Sequence, residues 1–176
     1  MPDSGPIRSR PNFPGGYGVD RSASDQMLEW QVVEARLAES RNYWVCTASP
    51  SGRPHAAPVW GLWFEGALGF STDPSSRKGR DLEQNPVCVV HLESGDDAVI
   101  VEGDVERLTD RELLDRFVDA YQVKYGIRPD PADPGFGFYR LRPASVFAWM
   151  EHNFVESATR WRFSPPAVPA PPASPD

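Results

Sequence analysis

The segment from Gly52 to Asn85 constrains the fold more than any other, because two strand-like runs joined by a tight turn lead directly into a helix start. Residues 53–63 mix polar and apolar side chains with two prolines, which is typical of a strand beside a groove rather than a buried central strand. Glu65-Gly66 predicts the hairpin turn, since glycine supplies a positive φ, and residues 67–72 return as the second strand. So short a turn makes the two strands antiparallel.

The helix start is basic. Residues 75–80 read SSRKGR, so two hydroxyls and three cations come directly before a helical DLEQN. Hydroxyls, cations and free backbone N–H groups favour an anion at a helix start, because the helix dipole is positive there. The alternative interpretation, a basic loop on the solvated surface, is the more common one for short basic clusters taken alone.

Further strands are predicted at residues 42–49, 87–92, 98–108, 138–141, 145–150 and 158–163. The run at residues 87–92 is apolar on both faces and is expected to be a covered central strand. Gly103 indicates a bulge or bend, as a small barrel needs. Many short strands with two or three flanking helices indicate a mainly β (α+β) fold, specifically a compact β-barrel with helical additions.

Two of the helices are marked by apolar stripes and caps. The first is expected to start at Ser22 or Ser24 and to end near Ser40, with its stripe facing the core. The other is expected to start at the capping box of Thr109 and Glu112 and to run to about residue 125.

A chain of 176 residues is expected to form one domain. We expect an irregular arm at residues 1–22, the barrel domain at residues 23–164 and a disordered proline-rich tail at residues 165–176. The net charge of −7 and the pI of about 5.0 argue against a nucleic-acid or anionic-membrane binder. Without an apolar signal-peptide core or a run that could span a bilayer, a cytoplasmic location is expected. Cys46 and Cys88 are expected to be reduced thiols, although the number of cysteines alone does not exclude a disulfide between them.

Self-contained catalytic chemistry is not evident in the sequence. His55, His91 and His152 lack metal-ligand spacing, and neither a GxSxG elbow nor a phosphate-binding P-loop occurs. If the protein is an enzyme, a bound cofactor is expected to supply the reaction, with the protein supplying placement and electrostatics. Tyr43, His55 and His152 are the proton-donor candidates, and solvent could serve instead.

The succession TASPSGRPHAAPVWGLWFEGALGFST, then SRKGRDLEQNPVCVVHLESGDDAVIVEGDVE, then ATRWRF resembles the split β-barrel flavin/deazaflavin oxidoreductases, which include pyridoxamine 5'-phosphate oxidase. The resemblance covers residues 24–163 and is strongest to the branch that uses the deazaflavin coenzyme F-420. It implies a homodimer with two cofactor sites at the subunit interface.

Four groups of residues match the family's cofactor-binding positions. The resemblance implies that the ring lies against one strand, that two small hydroxyls stand beside it, that a basic loop holds the phosphate, and that C-terminal strands reach the partner's site. These groups are, in order, Pro58, Val59 and Trp60; Ser71 and Thr72; Ser76, Arg77, Lys78 and Arg80; and Trp149, Phe154, Arg160 and Trp161.

Two positions depart from the family pattern. Asp81 stands where many relatives carry asparagine, and its carboxylate is expected to weaken the local positive field. Ser76 stands where some relatives carry arginine, which is expected to weaken the grip on a long acidic cofactor tail.

The resulting hypothesis is an F-420-dependent oxidoreductase that moves a hydride to or from a small conjugated or aromatic substrate. The alternatives are an FMN-binding oxidase or reductase of the same fold, a carrier that binds the coenzyme without turnover, and an interaction module whose basic loop is only surface. A small monomeric barrel need not bury as much aromatic surface as is provided by Trp30, Trp63 and Trp149. This excess favours a homodimer.

Overall fold

The computed structural model describes residues 5–20, 22 and 25–164, so the predicted disordered tail at residues 165–176 lies outside the described residues. The strands are β1 (Ile7–Ser9), β2 (Asn42–Ala48), β3 (Pro54–Phe64), β4 (Ala67–Thr72), β5 (Val87–His91), β6 (Asp97–Arg107), β7 (Gly137–Met150) and β8 (Thr159–Arg162). The α-helices are α1 (Trp30–Glu39), α2 (Arg77–Gln84), α3 (Arg111–Tyr125) and α4 (Phe154–Ser157). The described chain therefore has four α-helices, one more than the largest number predicted.

The strands form one antiparallel sheet in the order β1-β8-β7-β4-β3-β2-β5-β6, and an added pairing of β6 with β7 closes its last six strands into a barrel. β8 and β1 extend the sheet outward from β7. The β3–β4 hairpin turns at Glu65 and Gly66, which both have positive φ, as the sequence indicated for the glycine. This is the split-barrel architecture that the sequence predicted.

The closing seam between β6 and β7 explains one wrong expectation. Residues 138–141 and 145–150 were expected to be two strands separated at Pro143, but they belong to the single strand β7. The register shifts between Glu102 and Gly103, and Pro143 pairs with Gly103 at this irregularity. Because proline is tolerated at a bulge, where its missing N–H breaks no regular ladder, β7 continues through it.

The N-terminal arm is more ordered than expected. Residues 7–9 form β1 on the edge of β8, although the sequence indicated no regular structure there. Arg10 is 8% exposed, and its guanidinium donates to the backbone carbonyls of Val155, Glu156 and Ala158 at the end of α4. The arm is therefore tied to the C-terminal part of the fold.

Both long helices start later than the sequence indicated. Helix α1 begins at Trp30 with Glu29 at its N-cap position, and the candidate cap Ser22 instead donates to Asp20; Ser24 lies outside the described residues. Helix α3 is capped by Asp110, whose carboxylate accepts from the Leu113 backbone N–H, rather than by Thr109.

Strand β5 is not covered on both faces in the single chain. Its burial alternates, and Val87 is 59% exposed while Cys88 and Val90 are buried. Cys88 points inward and Cys46, on the neighbouring strand, points outward. Because the two thiols are on opposite faces of the sheet, they do not form a disulfide, and both are free.

Trp30 and Trp63 have partners within the chain, so they no longer argue for a dimer. Trp30 packs against Trp63, Trp161 and Phe163 with ring centroids 5.9, 5.6 and 5.2 Å apart. The Trp63 indole N–H donates to Glu34 at 3.0 Å. Helix α1 thus packs against the main core through an aromatic cluster that Trp30 shares with residues of β3 and β8.

Helix α3 packs on β4 through Gly69. A Cβ added at Gly69 would lie 2.3 Å from the Phe117 ring, which is fully buried. We therefore expect Gly69→Ala to lower the free energy of unfolding by about 2 kcal/mol through overpacking, measured by urea denaturation. The matched control is Gly95→Ala, where nothing lies within 4 Å of the added atom. Equal stability of the two variants would contradict this packing.

Candidate functional site

The candidate site lies where β3 and β4 stop pairing. The last register pairs include Gly61 with Phe70, so Trp60 and Ser71 are the next residues on the two strands. Directly opposite residues of an antiparallel pair share a face, and Phe70 points into the core, so Trp60 and Ser71 point outward. Pro58 points outward with Trp60, whereas Val59 is 8% exposed and belongs to the core.

The N-terminus of α2 closes one side of this opening. Ser76 is the N-cap, and its hydroxyl accepts from the Gly79 backbone N–H at 3.1 Å and lies 3.3 Å from the Thr72 hydroxyl. A Cβ at Gly79 would lie 2.5 Å from the Pro74 carbonyl oxygen, so glycine lets the preceding loop sit against the helix. The cations expected in a loop therefore belong to the first turns of a helix.

Lys78 is the most unusual side chain of the site. It is 7% exposed, and no hydrogen bond or ion pair reaches its ammonium group from residues 5–20, 22 and 25–164. Burial lowers its pKa, because removing a charge from water disfavours the charged form. The backbone N–H groups of Arg77 and Lys78 also lack partners in the same part of the chain. An unpaired ammonium beside free helix N–H groups is suited to an anion.

The other two cations of α2 are partly engaged. Arg77 donates to the Pro54 carbonyl at 2.9 Å, and its Nε lies 3.9 Å from the Asp81 carboxylate. Asp81 is 6% exposed and accepts from the Thr47 hydroxyl at 3.0 Å. Arg80 is exposed and donates to the Ser75 carbonyl. The departure at Asp81 thus anchors the helix to β2 and β3 as well as adding a negative charge.

An aromatic platform that the sequence analysis missed supports Trp60. The Trp60 ring stacks on Tyr125 at the end of α3, with centroids 4.9 Å apart and planes inclined by 2°. The Arg41 guanidinium lies 5.1 Å from the Trp60 ring centroid. Tyr125 was assigned only to a core-facing helix, and no local pattern links residues so distant in sequence.

The C-terminal candidates lie elsewhere in the single chain. Thr72 pairs with Gly137 at one end of β7, while Trp149 is near the other end, roughly 40 Å along the strand at about 3.3 Å per residue. Trp149 packs edge-to-face on Phe154 at 5.8 Å, and both rings contact Phe13 of the N-terminal arm. The Arg160 side chain reaches Ser9 instead, and Trp161 is 1% exposed in the core. One chain therefore does not unite these residues with α2.

The three proton-donor candidates lie in different environments. Tyr43 is fully buried, its hydroxyl donates to the Leu37 carbonyl, and burial raises its pKa, so it is wrong as a donor to a substrate. His55 on β3 is half-buried and His152 is exposed. Within the described ranges, no group of three His, Cys, Asp or Glu side chains could hold a metal ion.

Residues 30–150, more than half of the chain, match the family model described as pyridoxamine 5'-phosphate oxidase. The chain belongs to the pyridoxamine 5'-phosphate oxidase family. No helix among the described residues of this family member is both long and apolar enough to cross a membrane.

Relatives in this family include a pyridoxine/pyridoxamine 5'-phosphate oxidase of Rubrobacter xylanophilus, 27% identical over 166 residues that cover 75% of this chain and 76% of the relative. A conserved hypothetical protein of Mycobacterium tuberculosis shares the fold with a TM-score of 0.62, at 22% identity over 74% of this chain and 90% of that one. A structure described as an F-420 reductase has a TM-score of 0.52, at 21% identity over 63% of this chain and 93% of that one. The two structural likenesses show the fold alone.

Because Lys78 is buried without a partner, its charge opposes folding, and Lys78→Met is expected to keep or raise the free energy of unfolding at pH 7. A lysine whose pKa is lowered in the folded state binds its proton less well there, so this cost disappears as the pH rises toward the ordinary value of 10.5. Urea denaturation from pH 7 to pH 10 should show the difference between variant and parent shrinking. A large loss of stability in Lys78→Met would contradict the assignment.

Proposed function

We propose that this family member is an oxidoreductase that holds a phosphorylated deazaflavin or flavin at β3 and α2, with coenzyme F-420 as the first candidate. The observation that carries the proposal is the unpaired ammonium of the buried residue Lys78 beside the free N–H groups of α2. These donors suit a phosphate, and Ser76 lies beside them as the N-cap. Because the chain's net charge is negative, an anionic ligand would depend on such a local cationic position for its attraction.

The residues present also fit a planar ring. Pro58 and Trp60 point outward beside Ser71, next to the opening, and offer an apolar wall with a hydroxyl at its edge. Such a ring, when bound, would exchange a hydride with a conjugated or aromatic substrate. The protein's contribution would be to fix the ring against β3 and to exclude water from its face.

F-420 and FMN differ in the charge beyond the first phosphate. Lys78 and the helix N–H groups are enough for one phosphate, whereas Arg80 is exposed and can meet a further acidic tail. Because F-420 carries an acidic tail beyond its phosphate and FMN does not, the exposed Arg80 favours F-420. FMN is the second candidate, since curated relatives are named as oxidases. A cytoplasmic location and a homodimer are part of the same proposal.

The binding test is titration of the purified protein with F-420 and with FMN, followed by fluorescence. Lys78→Met is expected to weaken either cofactor by about 10- to 100-fold, as loss of a hydrogen bond to a charged group does. Arg80→Gln is expected to weaken F-420 but not FMN. Arg111→Gln is the matched control, since Arg111 is exposed at the start of α3.

Other outcomes of this titration would replace the proposal. FMN retained through purification would favour the second candidate. Tight binding without turnover on enones, quinones and nitroaromatics would favour a carrier. Failure of both rings to bind would leave the protein an interaction module with a basic surface.

The outer face of the barrel supports a two-fold dimer. Pro58, Trp44, His91 and Ile100 are consecutive cross-strand neighbours on β3, β2, β5 and β6. On β2 and β6, these positions alternate with buried core residues, so this apolar belt faces outward. The opening at β3 flanks one side of the belt, and β7 with Trp149 flanks the other. A two-fold axis through the belt would place each opening against the partner's second flank.

We therefore expect the protein to sediment as a dimer at micromolar concentration and Trp44→Asp to shift it to monomer, because a carboxylate would be buried in an apolar interface. The matched control is Val123→Asp, at a position on α3 that is 88% exposed. Cofactor affinity should fall together with dimerisation if the partner completes the site. A stable monomer of the parent protein would remove the interface from the proposal.

A further inference from the structure

The Trp60 ring is held in place by Tyr125. Tyr125 covers part of one ring face in parallel contact, and Trp60 remains 37% exposed. The Tyr125 hydroxyl lies 2.7 Å from the carbonyl oxygens of both Gly61 and Arg41 and accepts from the Gly61 N–H at 3.0 Å. The Tyr125 hydroxyl therefore contacts the backbone of both Gly61, which follows Trp60, and Arg41.

Lys124 forms hydrogen bonds close to the Tyr125–Trp60 stack. Its ammonium donates to the Tyr43 hydroxyl at 3.0 Å and to the Gly61 carbonyl at 3.3 Å, and it also reaches two carbonyls at the end of α1. Burial lowers the pKa of Lys124 to about 8. Lys124 is thus occupied by structural hydrogen bonds, and Arg41 is the exposed cation of this region.

Arg41 has no carboxylate partner in the described part of the chain. Its guanidinium lies 5.1 Å from the Trp60 centroid and 5.8 Å from that of Tyr125, and Arg41 also borders an open cleft of about 350 Å³. The other charged residues of that cleft are three acidic ones and Arg36, so an anion is expected on the Trp60 side of Arg41; the acidic residues are Glu39, Glu93 and Asp97. In a protein of net charge −7, an unpaired arginine held on two aromatic rings is suited to a planar anion.

Strand β3 separates Arg41 from the Arg77 guanidinium of α2. Arg77 is bonded to Pro54 at the start of the strand, and Trp60 lies roughly 20 Å farther along at about 3.3 Å per residue. A cofactor with its phosphate at α2 and its ring near Pro58 would therefore leave Arg41 for a second, separate molecule.

We propose that Arg41 and Trp60 select the substrate: a planar conjugated or aromatic compound that carries a carboxylate. The substrate ring contacts the part of Trp60 that the cofactor ring leaves open, and the carboxylate pairs with the Arg41 guanidinium. The inference rests on the proposed function, because the cofactor ring must lie on β3 for this position to be next to it. It goes further in naming an anionic substrate and the two side chains that recognise it.

The test uses 2-naphthoate and its uncharged analogue 2-naphthalenemethanol as probes, titrated by calorimetry into the full-length protein with and without saturating FMN or F-420. The parent protein is expected to bind the naphthoate about tenfold more tightly than the alcohol, as one charge-assisted pair provides. Arg41→Gln should remove that difference, Arg41→Lys should retain part of it, and Trp60→Leu should weaken both probes. Arg111→Gln should change neither.

Equal affinity for the two probes, or an unchanged naphthoate affinity in Arg41→Gln, would overturn the inference. Loss of F-420 affinity in Arg41→Gln with naphthoate binding unchanged would instead assign Arg41 to the cofactor's acidic tail. Failure of the proposed function would give a different result: neither F-420 nor FMN would bind, whatever the affinities of the two probes.

Discussion

The pairing of β6 with β7 is the constraint on which the rest of the structure depends, because it turns a row of strands into a closed barrel. The seam requires a very close approach, since a Cβ at Gly103 would lie 2.0 Å from the Arg142 carbonyl oxygen. With the barrel closed, β4 must pair with β7 on one side and β3 on the other. The end of β4 is then fixed beside α2, and the opening at Trp60 and Ser71 is a consequence of that arrangement.

The candidate site combines two different physical environments along β3. At α2 it offers the unpaired ammonium of the buried residue Lys78 and free backbone N–H groups, which favour a compact anion. At Trp60 it offers an aromatic face and an exposed guanidinium, which favour a flat molecule with spread charge. The two regions are joined by one strand, so their spacing is set by the backbone rather than by flexible side chains.

Much of the fold could be predicted because local patterns determine it. The β3–β4 hairpin, the bulge at Gly103 and the amphipathic α3 each follow from turn chemistry or periodicity. The prediction failed where tertiary contacts override local preference. Residues 7–9 become a strand only because β8 offers an edge, and β7 passes Pro143 only because the bulge lies opposite. Among the candidate site residues, the burial of Lys78 and the Tyr125–Trp60 stack depend on packing between elements that no sequence spacing reveals.

The tie between Arg10 and the end of α4 links the two ends of the described chain. Carbonyl groups at the end of a helix carry partial negative charge, and here a guanidinium from the opposite end of the sequence neutralises them. Removing Arg10 and the residues before it would therefore take a donor away from these carbonyls and expose the edge of β8. A truncation or fusion that displaces Arg10 is consequently expected to disturb residues 154–158, although they lie far away in sequence.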